Sequence, residues 1–437
     1  MDMETEAEMD TEAGRASTDA EASTEAEAQL NPEVTDPATL IFSQQGADAP
    51  HEAYRRLRAG CPVVRSEFAG TPAVYLSRYE DVLWALRHPE VFSSNVDALS
   101  IGQEQPLIPL QVDPPEHTRY RRLLNPEFVP RKIAELEADV RVLVNGIIDT
   151  FAERGHCDFH DEFATPLPST IFLRLMGLPQ ADLPMFLQWR DDVVRPDVAP
   201  NDLEGAERVR AAAGQAINAY FERSIEDRQR APDDGLLSRL VHSEIDGEHL
   251  TRRELLGIAH LMLLGGLDTV TATLDCIVAN LASNPERRRR LVEEPALVPA
   301  AVEELLRRES PVTVVLRILT RDLSIGDVEL RAGDHVTLLI GAANADAREF
   351  ADSEGVDIDR DPNRHLAFGA GNHLCLGAHL ARLELCVALE ELHRRIPDYR
   401  IPDDTEIHYS PGIRQADHLP LVFEPARLDV AVAGQNG

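Results

Sequence analysis

Positive charge is scarce in this chain. Lysine and arginine number 43 against 76 aspartates and glutamates, a formal net charge of −33 over 437 residues. Such a surface repels phosphate backbones, which excludes general nucleic-acid binding. Cysteine is nearly absent: Cys61, Cys157, Cys276, Cys375 and Cys386 are odd in number and in no paired spacing. That excludes a disulfide framework and a CxxC metal site, and it suits a reducing cytoplasm. Long apolar runs are missing too. The richest stretch, "IAHLMLLGGL", is interrupted by His and Gly and falls short of the roughly 18 residues a membrane span needs. The N-terminus carries acids where an export signal carries Lys or Arg. The expectation is a cytoplasmic monomer with neither nucleic acid nor membrane as partner.

Residues 1–30 hold ten acids against the single Arg15, which leaves −24 for the remainder. Their Glu, Ala, Thr and Asp cannot bury enough apolar surface to offset chain entropy. They are expected to be a disordered acidic tail, with one globular domain over 31–437. "PHEAYRRLRAG" and "RYEDVLWALR" predict helices, "PVVRSE" and "PAVYLS" strands, and residues 95–115 a long loop. From about 117 to 310 the period is 3.6 throughout, and Thr251–Ser283 predicts one helix of over thirty residues, apolar nearly all round and hence buried. After Pro311 short strands follow: "VLRILT", "LSIG", "VELRAG", "HVTLLIG" and finally "LPLVFEP". The fold class is mainly α with a small β region.

Four of the five cysteines read as small buried hydrophobes. Cys375 differs. It stands where the glycine-rich "HLAFGAGNH" meets the helical pattern "AHLARLELCVALEELHRR", and a helix N-terminus stabilises a thiolate. Gly369, Gly371 and Gly377 let backbone approach something large and flat. A nucleophile activated by His373 is one reading, but nothing in the sequence marks an oxyanion hole or an orienting group. A metal held by one thiolate, its other ligands supplied by a porphyrin, is the other.

"FGAGNHLCLG", Phe368 to Gly377, is similar in every defining position to the haem-binding pattern F-G-x-G-x-H-x-C-x-G of the cytochrome P-450 superfamily. Three further stretches resemble that family in the right order, and the resemblance spans roughly Pro50 to Pro425. It implies the cytochrome P-450 fold, haem b (iron protoporphyrin IX) and Cys375 as the iron ligand. "GGLDTV" resembles the oxygen-activation segment, so Asp268 and Thr269 would form the acid–alcohol pair that supplies protons for O–O cleavage; a bent helix is the plainer meaning of Gly-Gly beside Thr. "EELLRR" would make Glu304 and Arg307 the buried structural pair. The Arg that usually joins them is absent, with Gly355 at its place, so a third member is missing or comes from elsewhere. By the same resemblance His117, Arg121, Arg317, His365 and His373 hold the haem propionates, with Phe368 and Gly377 against the haem. The branch it most resembles is that of the bacterial camphor hydroxylases.

The activity implied by the resemblance is that of a monooxygenase that inserts one atom of O2 into a C–H bond. Its electrons would come from a separate ferredoxin and its reductase, since no reductase domain follows the haem region. Arg119, Arg122, Arg131 and Lys132 are a candidate docking cluster, or simply a solvated helix face. The loop 95–110, Leu261, Leu264, Gly265, Val314, Val315 and Ile413 would line the pocket, and their apolar character suits a small to medium terpenoid or aromatic substrate. A peroxide-using peroxygenase of the same fold and a non-catalytic haem sensor are the rivals.

Overall fold

The computed structural model describes residues 40–60, 62–68, 71–95, 102–199 and 202–426. The acidic tail, Cys61 and residues 96–101 of the 95–110 loop lie outside them.

Helices form where apolar residues recur at helical spacing. Tyr79–Arg87 buries Tyr79, Val82, Ala85 and Leu86 on one stripe, carries Glu80 and Asp81 in its first turn, and stops one residue short of Pro89. The central helix opens on a capping box. Thr251 Oγ1 accepts the Glu254 N–H at 3.3 Å, and Glu254 Oε2 accepts the Thr251 N–H at 2.6 Å.

The expected single helix is in fact two, Arg252–Leu267 and Thr269–Ser283, broken at Asp268. Three hydroxyls disturb the ladder there. Thr269, Thr271 and Thr273 donate to the carbonyls of Gly265, Leu267 and Thr269 at 3.0, 3.3 and 2.7 Å. Each competes for a carbonyl that a backbone N–H would otherwise take, and Gly265-Gly266 offer little resistance to bending. This is the one helical stretch among the described residues long and apolar enough to cross a membrane, but 67% of its most apolar window is buried inside the protein. It is a core element.

A mixed five-stranded sheet runs in the order Val63–Phe68, Thr71–Leu76, His335–Leu339, Val314–Leu319, Phe92–Ser93. Only the second and third strands pair in parallel. "HVTLLIG" is a strand only to Leu339; the chain then turns into the helix Ile340–Asn344. One apolar cluster surrounds Thr269–Ser283 with Glu137–Asp149, Val298–Glu309 and Ala378–Arg395. A second joins Arg252–Leu267 to Pro166–Met176, Leu183–Val194, Leu203–Arg230 and Leu236–Val241. Leu380 and Leu383, on the helix after Cys375, touch both. Close backbone contact ties the loop before Pro106 to this layer: a Cβ on Gly214 would lie 1.6 Å from the Gly102 carbonyl oxygen.

Glu304 and Arg307 form a fully buried bidentate pair, with Nε–Oε2 and Nη2–Oε1 both 2.8 Å. Arg307 also donates to the carbonyls of Asn344, Ser353 and Gly355 at 2.7, 2.7 and 2.8 Å. The third member is Arg360, whose Nε donates to Glu304 Oε2 at 3.0 Å. Gly355 contributes its carbonyl, and Arg360, five residues on, takes over the missing side chain's place. Burial by itself would raise the Glu304 pKa. The bonds from Arg307, the Asp357 N–H and Arg360 outweigh it and hold the carboxyl below the usual glutamate range. A carboxylate so depressed adds stability above its unfolded pKa of about 4.3, and that stability is lost as pH falls through the folded value.

Arg360→Ala and Glu304→Gln should therefore each cost about 3–5 kcal/mol in denaturant unfolding at pH 7, with the Glu304→Gln deficit shrinking below about pH 4.3. Arg56→Ala, which removes an exposed pair with Glu52, should cost under about 1 kcal/mol.

Candidate functional site

The loop before Ala378–Arg395 turns tightly through Gly369 and Gly371, both at positive φ. A Cβ on Gly371 would sit 2.6 Å from the Leu86 carbonyl oxygen. The Cys375 N–H donates to the Phe368 carbonyl at 2.9 Å. The sulfur is accessible, yet protein surrounds it on most sides, so it faces an inward cleft. Burial pushes its thiol up; the Gly377 N–H and the Arg121 and Arg382 cations pull the other way without prevailing. A free thiol held protonated is a poor nucleophile, whereas a coordinating one loses its proton to the metal outright. His373 is no base for it either. Desolvation and the charges of Arg317, His117 and Arg121 press its pKa to about 3, and its Nε2 is 3.1 Å from Ser94 Oγ. The Cys–His reading thereby loses its general base.

Four of the five expected cationic or donor side chains converge on this cleft. The His117 and His373 rings lie 4.2 Å apart, and both nitrogens of buried His117 have no partner among the described residues. Desolvation, reinforced by Arg121, lowers His117 to about 4. Among the described residues the side chain of buried Arg317 hydrogen-bonds only its neighbour's carbonyl, Leu316 O, at 2.7 Å, and desolvation pushes its pKa down to about 10. Arg121 Nη1 holds the Leu374 carbonyl at 2.9 Å. Asp113 is the one acid that acts on Arg317 and His117, and it is engaged by Ser93 Oγ and the Ser94 N–H. So dense a set of under-compensated donors fits a dianion. His365 is elsewhere. Its Nε2 is 3.0 Å from Glu303 and its Nδ1 accepts the Ala367 N–H at 3.2 Å, so neither nitrogen is left for a propionate.

Glu303 also receives Arg382, Nε–Oε1 2.7 Å, and the Arg382 guanidinium lies 4.4 Å from the Phe368 ring centre. Sequence reading passes over Arg382 and Glu303; Arg382 seven residues after the cysteine is a signal only once the cysteine is understood. Among the described residues nothing lies within 4 Å of where a Cβ on Gly265 or on Gly377 would be. A thiol ligand, two open glycine faces and cations for two carboxylates fit haem.

Asp268 is completely buried, and it is not alone. Arg195 Nη2 reaches its Oδ1 at 2.6 Å, and Arg190 Nε lies 3.9 Å from the same oxygen. Neither arginine has a sequence signature; the helix Leu183–Val194, which carries Arg190 and ends just before Arg195, has none that periodicity reveals. Leu261, Leu264, Val315 and Ile413 are half-buried and Gly265 is exposed, as surfaces of a cleft would be. Val315 shares a strand face with Arg317, whereas Val314 points the opposite way, against the cluster of Leu40, Tyr54 and Tyr75. The expected basic patch is mostly neutralised: Arg119 pairs with Glu254 at 2.6 Å, Lys132 with Glu127 at 2.5 Å and Arg122 with Asp246 at 3.4 Å. Arg131 alone of the four makes no ion pair among the described residues.

The family model described as "Cytochrome P450" matches residues 32–396. A steroid C26-monooxygenase of Mycobacterium tuberculosis is 37% identical over 382 residues, covering 86% of this chain and 94% of the relative. A methyl-branched lipid omega-hydroxylase of the same organism is 37% identical over 370 residues, covering 81% and 85%. Among solved structures, CYP109E1 from Bacillus megaterium in complex with testosterone superposes with a TM-score of 0.81 at 29% identity, covering 87% of this chain and 100% of that one. None of these is a camphor hydroxylase, and the narrower likeness to that branch is not supported.

Cys375→Ser should abolish the red-shifted Soret band of the reduced carbon monoxide complex. Arg317→Ala and His117→Ala should keep the band but raise the fraction of protein purified without haem, measured by the haem-to-protein absorbance ratio.

Proposed function

The chain belongs to the cytochrome P450 family, is a haem-dependent monooxygenase, and we propose that it hydroxylates a steroid- or branched-lipid-like substrate with electrons from a separate ferredoxin. The carrying observation is the cleft itself: one accessible thiol, the under-compensated donors His117, Arg121, Arg317 and His373, and half-buried apolar side chains from the central helix and Val315. The names of the two mycobacterial relatives support the substrate class. That class is larger than the terpenoid or aromatic compound expected from the sequence, and equally hydrophobic. The ferredoxin partner, cytoplasmic location and monomeric state are parts of the same proposal, with Arg131 and the weakly held Arg122 as the docking cations.

When bound, haem supplies the oxidising chemistry: a thiolate-ligated iron that reduces O2 and favours O–O cleavage. The remaining work belongs to the chain. Cys375 binds the iron, steadied by the Gly377 N–H. His117, Arg121, Arg317 and His373 pair with the propionates and so fix the ring's orientation. Phe368, stacked under Arg382, and the Glu304–Arg307–Arg360 network keep the cysteine loop in place. Leu261, Leu264, Val315 and Ile413 exclude water and hold the substrate. Asp268 brings protons inward and the Thr269 hydroxyl, hydrogen-bonded to Gly265 O, presents them where oxygen is split. The Asp268–Thr269 pair argues against a peroxide-using enzyme, and against a sensor, in which it would be idle.

Thr269→Ala should lower product formed per NAD(P)H consumed by about tenfold or more, the balance appearing as hydrogen peroxide; unchanged coupling removes the proton-delivery role. Titrating the ferric protein with steroids and methyl-branched lipids should give a high-spin shift with at least one of the two classes. A shift only with small terpenoids or aromatics would overturn the substrate assignment.

A further inference from the structure

A group of buried polar residues runs along one face of the central helix from Asp268, and beyond Asp268 itself the proposed function leaves it unused. Asp268, Thr271 and Asp275 are spaced three, four and seven residues apart, so they share one face of Thr269–Ser283 and its leading turn. All three are completely buried. Asp275 Oδ2 is 2.8 Å from His160 Nδ1 and accepts the Ala416 N–H at 3.3 Å; its Oδ1 has no partner among the described residues. Thr271 Oγ1 donates to the Ala164 carbonyl at 3.0 Å. His160 and Ala164 are the ends of a single π-helical turn, His160–Ala164, which packs along this face.

The other side of His160 leads outward. Its Nε2 lies 3.5 Å from Thr165 Oγ1 and 4.0 Å from Oδ1 of Asp161, a side chain 63% exposed. Asp158 Oδ1 takes the His160 N–H at 3.1 Å, and Oδ2 lies 3.1 Å from Nδ1 of exposed His418. Asp158, Asp161 and His418 thus form a titratable group at the mouth of the seam. One histidine connects that mouth to a buried carboxylate, which in turn shares a helix face with Asp268.

We infer that His160 and Asp275 are the gate of a proton inlet that runs from the Asp158–Asp161–His418 surface group along the Asp275–Thr271–Asp268 face to Thr269. The inference rests on the reading of Asp268 and Thr269 as the proton-delivering pair. A proton is taken up at His160 Nε2 while the Nδ1 proton passes to Asp275 Oδ2. The Nε2–H bond forms as the donor at the mouth loses its own, the Nδ1–H bond breaks as the Asp275 Oδ2–H bond forms, and a ring-tautomer change, which moves the remaining proton from Nε2 back to Nδ1, restores the histidine before the next uptake. No electrons move. From Asp275 the proton has about 10 Å of helix to cover, seven residues at 1.5 Å each, with the Thr271 hydroxyl midway. A purely structural pair would gain from having both carboxylate oxygens satisfied, because an unpartnered buried acceptor is costly; Asp275 Oδ1 has no partner among the described residues. The charges that face His160 are Asp275 from the central helix, Asp161 and Asp158 from its own segment, and Arg190 from Leu183–Val194. Desolvation would lower the His160 pKa, but the Asp275 hydrogen bond and charge prevail and raise it, while burial raises Asp275. Both directions favour a proton held at the 2.8 Å His160–Asp275 bond.

His160→Gln keeps an amide donor for Asp275 but cannot take up and pass on a proton; Asp275→Asn keeps the shape and loses the charge. Measured in the full haem-loaded chain with its reductant system, each should lower kcat about tenfold or more and enlarge the solvent deuterium isotope effect, with substrate dissociation constants unchanged. His160→Gln should also erase the alkaline limb of the kcat pH profile. In histidine-labelled full-length protein, NMR titration should place His160 above the ordinary histidine range and return it there, or below, in Asp275→Asn. Unchanged kcat, isotope effect and pH profile, with only a lower Tm, would make the pair a structural tether and overturn the inlet. If Thr269→Ala uncouples turnover while neither variant does, the inlet fails and the proposed function stands; if Thr269→Ala is also without effect, both fail.

Discussion

An anionic sulfur inside a mostly apolar protein is the constraint to which the rest of this structure answers. Protein surrounds it on most sides, and the unliganded thiol responds as burial dictates, by holding its proton. Only a metal cation at the sulfur reverses that preference. The surrounding architecture then has two tasks: to carry the sulfur on a backbone that cannot drift, and to hold a flat charged ligand against it. The helix Ala378–Arg395 and the tight glycine turn before it serve the first. The donors from three separate elements, Glu116–Leu124, Val314–Leu319 and the Gly371–His373 turn, would serve the second under the proposed function.

The buried charges fall into three kinds. Glu304, Arg307 and Arg360 satisfy one another and nearby carbonyls, so their network behaves as a rigid internal clamp. His117, Arg317 and His373 are under-compensated, and the low pKa values of the two histidines and of the arginine express how poorly their charged forms fare unaided. Asp268 is intermediate. It is paired with Arg195 and approached by Arg190, at the point where the central helix loses its regular ladder. Saturated charges hold shape, under-compensated ones await a counter-charge, and a paired acid at a helix break is placed to exchange partners.

Much of the fold is readable from periodicity. The helices Pro50–Gly60, Leu203–Arg230 and Ala378–Arg395 and the strands after Pro311 follow from side-chain spacing. Leu183–Val194 is not legible in this way, its apolar residues being spread round the helix between two layers. Phe92–Ser93, His156–Asp158 and Tyr399–Arg400 have two or three residues each; they are strands only because partners from distant sequence lie alongside. The break at Asp268 is legible in kind, as glycines beside threonine, but its consequence depends on which carbonyls the hydroxyls find.

The cysteine and its glycines are neighbours in the chain, and so are Asp268 and Thr269, so each local pattern could be read without coordinates. Partnership between distant residues could not. Arg360 replaces an arginine missing at Gly355 because the chain folds back to offer a guanidinium to the same carboxylate. His365 turns to Glu303 instead of joining the other cations. Val314 and Val315 face opposite sides of one strand, and Arg195 and His160 meet aspartates 73 and 115 residues away. Local sequence records what a residue can donate or accept; only the packing of layers selects which donor meets which acceptor, because that choice is made by distances across the core and not along the chain.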